Sequence, residues 1–150
     1  MPASEQIFQV FIENQAGSSI KNTYDEKTLK HLGGTKVSRP YPYPYGFALD
    51  TVSGDGDAVD CFVVTQDTLQ SSDIVECIPV HLLEQVEDGE VDHKVLCVPT
   101  GAESVVDGDA VDAIRAFIMS VFAHVPGKKM QLGSLLDTTE AKRYIRECRV

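Results

Sequence analysis

Three carboxylates crowd into six residues at Asp55-Gly56-Asp57-Ala58-Val59-Asp60, and the chain then runs directly into Cys61-Phe62-Val63-Val64. An apolar, β-branched run bounded by turn residues predicts a buried strand over 59–65, with the acids at its mouth. Two carboxylates about 4 Å apart repel by roughly 4 kcal/mol at an effective dielectric near 20, and by about 1 kcal/mol in water. If the side chains converge, a cation must neutralise them, and hard divalent ions such as Mg²⁺ take oxygen ligands of this kind. If they splay into solvent, nothing is required.

Positions 57 and 60 are an odd number apart and would point oppositely in a regular strand, so convergence needs a turn or bulge, which Gly56 permits. An EF-hand fits poorly, because Gln66 stands where the bidentate Glu would close a calcium loop.

The same hexapeptide returns as Asp107-Gly108-Asp109-Ala110-Val111-Asp112. There it opens a run in which Ala110, Ala113, Ile114, Phe117, Ile118, Val121 and Phe122 recur at helical spacing until Pro126-Gly127. Acids at a helix start cap free N–H groups and suit the helix dipole, so this copy requires no metal. A second helix is expected from Asp137, with Glu140 three residues on and Ala141, Tyr144 and Ile145 on its inner face.

Ahead of the helices, strands are predicted at 6–12, from Ile20-Lys21, at 74–80 and at 94–98. Gly33-Gly34 is expected to break whatever precedes it, and the acidic link holding Glu84, Glu87, Asp88, Glu90 and Asp92 reads as a solvated loop. Arg39-Pro40-Tyr41-Pro42-Tyr43-Pro44-Tyr45-Gly46 cannot be helical. Its alternate prolines make a stiff extended segment that delivers tyrosines to fixed places, as a core cover or as phenol donors over a polar site. Strands first and helices last argue for an α+β fold with helices against a curved sheet or small barrel.

The 150 residues suit a single domain, 1–150. The net charge of −10 would repel a phosphate backbone, so nucleic acid is not an expected partner, although bound cations could invert the local field for a small anion. Cys61, Cys77, Cys97 and Cys148 lack metal or redox spacing and read as reduced structural thiols. His31, His81, His93 and His124 show no paired spacing that would suggest zinc. No basic, apolar leader follows Met1, and no run approaches the roughly 18 apolar residues of a membrane span, so a cytoplasmic protein without a membrane partner is expected.

In order along the chain, Tyr-Pro-x-x-Tyr-Gly (Tyr41 to Gly46), D-G-D-x-V-D (Asp55 to Asp60) and Asp92-His93-Lys94 resemble the soluble family I inorganic pyrophosphatases. The likeness runs from about residue 7 to 124. It implies a five-stranded OB-like barrel with two C-terminal flanking helices, Mg²⁺-dependent hydrolysis of pyrophosphate, and a homo-oligomer, in bacteria usually a hexamer. Mn²⁺ or Zn²⁺ could replace Mg²⁺.

Carried over by position, Asp55, Asp60 and Asp92 look like metal ligands, with Glu87, or Asp88 on the other alignment, as a further one. Asp57 looks like the general base, and Glu13, Lys21, Tyr45 and Lys94 match an acid, two lysines and a tyrosine that line the family's site. The chain departs from the pattern at three places. Thr23 replaces an acid, with Asp25 displaced; an expected arginine falls near Gly33, leaving Lys36 or Arg39 to substitute; and Val125-Pro126 replaces a phosphate-binding Tyr-Lys pair, with Lys128-Lys129 following in a shorter loop. The departures keep open a second reading, a catalytically weak metal- or phosphate-binding relative with a regulatory or assembly role, and a third, a hydrolase of larger phosphoanhydrides.

Overall fold

A computed structural model describes residues 7–101 and 104–150. Among these residues nine strands and two helices follow in order: β1 (Phe8–Asn14), β2 (Ile20–Tyr24), β3 (His31–Lys36), β4 (Tyr45–Ala48), β5 (Asp60–Val63), β6 (Ile74–Glu87), β7 (Glu90–Val91), β8 (Lys94–Pro99), α1 (Gly108–Ser120), β9 (Met130–Leu136) and α2 (Thr138–Cys148). Five of the strands close into a barrel. The order is β1-β4-β5-β8-β6, and β6 pairs back onto β1. All neighbours are antiparallel except β5 and β8, which run parallel. The barrel and its two helices are the OB-like α+β architecture expected from the sequence.

Alternation of side chains explains why β5 is apolar after Asp60. Cys61 and Val63 enter a cluster with Val10, Ile12 and Cys97 that α2 covers through Ala141 and Ile145. Phe62 and Val64 face the other way, into a cluster that α1 supplies with Ile114, Phe117 and Ile118. With both faces packed, no polar position is tolerated beyond Asp60. Cys61, Cys77 and Cys97 are free and buried in this packing.

Closure also fixes Gly46. A Cβ there would lie 1.8 Å from the carbonyl oxygen of Phe11, on the neighbouring strand β1, so only glycine lets β4 approach.

Both helix starts match the expectation. Asp107 accepts from the backbone N–H of Ala110 at 2.9 Å, and Asp137 from that of Glu140 at 3.1 Å. Two expectations fail. Gly33-Gly34 does not end an element but lies inside β3, where Gly33 adopts φ +153° opposite Thr23. The acidic link is mostly strand: β6 runs on to Glu87, where β7 and β9 both hold it, and only Asp88-Gly89 turns. Between the helices lies a strand for which the sequence offered no expectation, β9, whose exposure pattern lacks clean alternation. Gln6, placed in the first strand from the sequence, lies outside the described residues.

Candidate active site

The parallel pairing of β5 and β8 puts Asp60 opposite Lys94, both at strand starts and so at the same end of the barrel. Asp92, two residues before Lys94, arrives beside them. Lys94 Nζ donates to Asp60 Oδ2 at 2.8 Å and lies 2.9 Å from Asp92 Oδ2, with the lysine only 5% exposed. Burial alone would favour the neutral amine, but the two carboxylates outweigh it and hold the ammonium well above its ordinary pKa. Burial pushes Asp60 up, with Lys94 opposing; at Asp92 burial is overcome by Lys94 and the carboxyl stays below its usual range.

Around this triad opens a cleft of about 1100 Å³, and all nine residues named from the sequence line it: Glu13, Lys21, Tyr45, Asp55, Asp57, Asp60, Glu87, Asp92 and Lys94. The turn that brings Asp55 and Asp57 there is built by Gly56 at φ +89°. Asp55 Oδ1 accepts from Ser53 Oγ and, at 3.0 Å, from the backbone N–H of Asp57, while Ser53 N–H donates to Asp57 O at 2.7 Å. Asp55 and Asp57 thus lie in a turn ahead of the strand that Asp60 enters, and all three line the cleft. Among the described residues no three His, Cys, Asp or Glu side chains are gathered closely enough to hold one metal ion. Lys94 stands between Asp60 and Asp92.

Glu13, near the end of β1, is the most perturbed acid. Burial first, then the nearby Asp60, push its carboxyl up to about 8 against the pull of Lys21 and Lys94. Tyr45 is buried, with its ring 5.8 Å from Lys94 Nζ, and its phenol is raised far above the usual range by burial and then by Asp60. Tyr41 covers the core, stacked 4.5 Å from Phe117 and 5.5 Å from Tyr45.

Lys21 reaches the cleft because the β2–β3 hairpin is pinned to β1. The amide oxygen of buried Asn14 accepts from Asn22 N at 2.7 Å and from Asn22 Nδ2 at 3.0 Å. Lys21 Nζ then lies 5.5 Å from the centroid of Phe122, and Lys128 Nζ lies 4.7 Å from the same ring. Lys128 is also 3.6 Å from Glu87 Oε1 and 4.0 Å from Asp88 Oδ2.

The alternatives left by the sequence separate here. Glu87 lines the cleft, whereas Asp88 accepts from the backbone N–H of Lys129 at 2.9 Å and shapes the turn. Arg39 donates to Ala116 O and Ser120 Oγ on α1, and neither it nor Lys36 lines the cleft. Asp25 caps its own turn by accepting from Lys27 and Thr28 N–H groups.

Two cleft residues escaped the sequence. Glu26 Oε1 accepts from the N–H of Ala58 at 3.1 Å, so the hairpin tip braces the acidic turn, and burial followed by the charges of Asp57 and Asp55 raises its carboxyl. Gln85 is buried at the cleft floor. No local pattern signals either one, since Glu26 meets its partner across 32 residues.

A five-stranded OB-like barrel carrying an acid-and-lysine cleft at one end defines the class of protein. The chain belongs to the inorganic pyrophosphatase family, whose profile matches residues 10–150. It is 30% identical to the inorganic pyrophosphatase of Aeropyrum pernix over 93% of this chain and 86% of that one. It is 31% identical to that of Saccharolobus solfataricus over 92% and 87%. Its fold matches the crystal structure of the inorganic pyrophosphatase from Thermus thermophilus with a TM-score of 0.88 at 24% identity, over 99% of this chain and 92% of that one.

Proposed function

We propose that this chain hydrolyses inorganic pyrophosphate to two phosphates with divalent ions, Mg²⁺ foremost, held in the cleft. The observation that carries the reading is the convergence of Asp60 and Asp92 on one cationic centre at the floor of an acid-lined cavity. A pair of carboxylates that already shares one positive charge suits a second, and the donor set is all hard oxygen, the type that Mg²⁺ selects. Asp55, Asp60 and Asp92 would hold the ions, with Glu87 as a further ligand. When bound, such ions neutralise a polyanion and bring the pKa of a coordinated water towards neutrality.

Asp57 is the general base, exposed in the cleft beside the turn that positions it. Lys94, Lys21 and Tyr45 hold phosphate oxygens; Lys128 and Lys129 do not line this cleft, and Lys128 stands at its margin, 4.7 Å from the centroid of the Phe122 ring that Lys21 also approaches. Glu13 is the half-buried acid beside Asp60 and the two lysines, its carboxyl pushed up to about 8. The homohexamer that the resemblance implies belongs to this proposal, and sedimentation measures it.

Phosphate release from pyrophosphate, assayed with Mg²⁺ and with EDTA, tests the reading. Turnover is expected only with the ion, and Asp57→Asn is expected to lower kcat by about 10² or more. Unchanged turnover in that variant contradicts the base assignment. The loss of the family's acid at Thr23 favours a weakly catalytic relative instead, and Mg²⁺ binding without any turnover would establish that second reading.

A further inference from the structure

Among the described residues, two buried side-chain polar atoms have no hydrogen-bond partner, Asn14 Nδ2 and Gln85 Oε1, and only Gln85 lines the cleft. Gln85 is 2% exposed. Its main chain is stapled to the link that carries the proposed ligand Asp92: Asp92 N–H donates to Gln85 O at 2.9 Å, and Gln85 N–H donates to His93 Nδ1 at 3.0 Å. Two residues further along β6, on the same face of the strand, comes Glu87. Gln85, Glu87 and Asp92 line the same cleft.

A buried carbonyl oxygen left without a donor costs about 1–3 kcal/mol. Packing does not require that cost, since an apolar side chain would fill the same volume. The Nε2 end contacts only the thioether of Met130, at 3.6 Å. Turning the amide over would place the oxygen against that sulfur, which has no proton to give, and would lose the one contact the amide makes. The oxygen is thus the end that awaits a partner. Phosphate oxygens are acceptors and cannot serve. The donor chemistry that a divalent ion brings into such a site is its own water, which Mg²⁺ sheds reluctantly.

We propose that Gln85 is a positioning residue that accepts a hydrogen bond from water carried by the divalent ion held at Asp92 and Glu87. The inference rests on the functional reading above. Outer-shell partners of this kind change metal affinity by about 10- to 100-fold when removed.

The experiment compares the unaltered chain with Gln85→Met and Gln85→Leu, by calorimetric titration of Mg²⁺ and by thermal unfolding in EDTA. Both variants are expected to bind Mg²⁺ about tenfold more weakly, to unfold in EDTA at the same or a higher temperature, and to bind imidodiphosphate normally once Mg²⁺ is saturating. Unchanged Mg²⁺ affinity in a folded Gln85→Met protein overturns the inference while leaving the functional reading intact. So does a loss confined to imidodiphosphate, which would make the amide a phosphate ligand. Lower unfolding temperatures in EDTA with unchanged Mg²⁺ binding would make it a packing residue only. If the unaltered chain binds no Mg²⁺, the functional reading itself fails.

Discussion

Glu13 shows how the cleft turns burial into chemistry. Its carboxyl titrates near 8 in the folded chain against 4.5 for an ordinary glutamate, so the folded state binds more protons across that interval. The stability associated with protonated Glu13 is complete below pH 4.5 and is lost as pH rises through about 8. Glu13→Gln cannot ionise and should remove that loss. In EDTA, urea unfolding at a series of pH values is expected to show the variant gaining on the order of 2–4 kcal/mol over the unaltered chain by pH 9. Parallel curves would mean that Glu13 is no harder to ionise in the fold than outside it. Lys94 and Glu26 make the same point at this scale. Each is an ordinary surface residue by composition, and each draws its role from a partner distant in sequence, Asp60 at 2.8 Å for Lys94 and the N–H of Ala58 for Glu26.

Identical strings do different work in different elements. Asp107 caps α1, whereas Asp55 turns the chain into β5 and faces the cleft. Asparagine keeps the acceptor in both places but removes the charge. Asp107→Asn should therefore leave stability and turnover unaltered, and Asp107→Ala should cost about 1 kcal/mol in urea unfolding with turnover intact. Asp55→Asn is expected to fold normally and to lose at least tenfold in turnover, because a neutral amide is a poor ligand for a hard cation. Equal losses in the Asp55 and Asp107 asparagine variants would erase the distinction between them. The helices were legible because apolar spacing and a capping acid act within a few residues. Strand β9 was not legible, since Met130-Gln131-Leu132-Gly133-Ser134-Leu135-Leu136 carries no clean alternation and is held by pairing with β6. For the same reason Gly33-Gly34 reads as a break by propensity yet forms a strand once β2 supplies its partners.

At the scale of the molecule, the barrel and the cleft are coupled by closure. β5 carries Asp60, the link into β8 carries Asp92, and both strands are barrel staves, so a cation held between these acids would bind only the folded chain. Mg²⁺ at about 100 times its dissociation constant should add about 2.7 kcal/mol to the free energy of unfolding, raising Tm by roughly 5–10 °C, and EDTA should reverse the shift. A Tm indifferent to Mg²⁺ would separate the acids from any shared ion. The architecture itself was largely readable, because both-face burial leaves continuous apolar runs and terminal helices leave a 3.6-residue period. No helix among the described residues is long and apolar enough to cross a membrane.

The sequence by itself determined which chemical groups are available, where two helices start, and which stretches must be buried strand, since those depend on neighbours a few positions away. Only the tertiary structure decided that Asp60 and Asp92 meet at one lysine, that Glu87 rather than Asp88 faces the cleft, and that Gln85 lies there without a donor. Those outcomes depend on strand register, and in a sheet a shift of one residue turns every side chain to the opposite face.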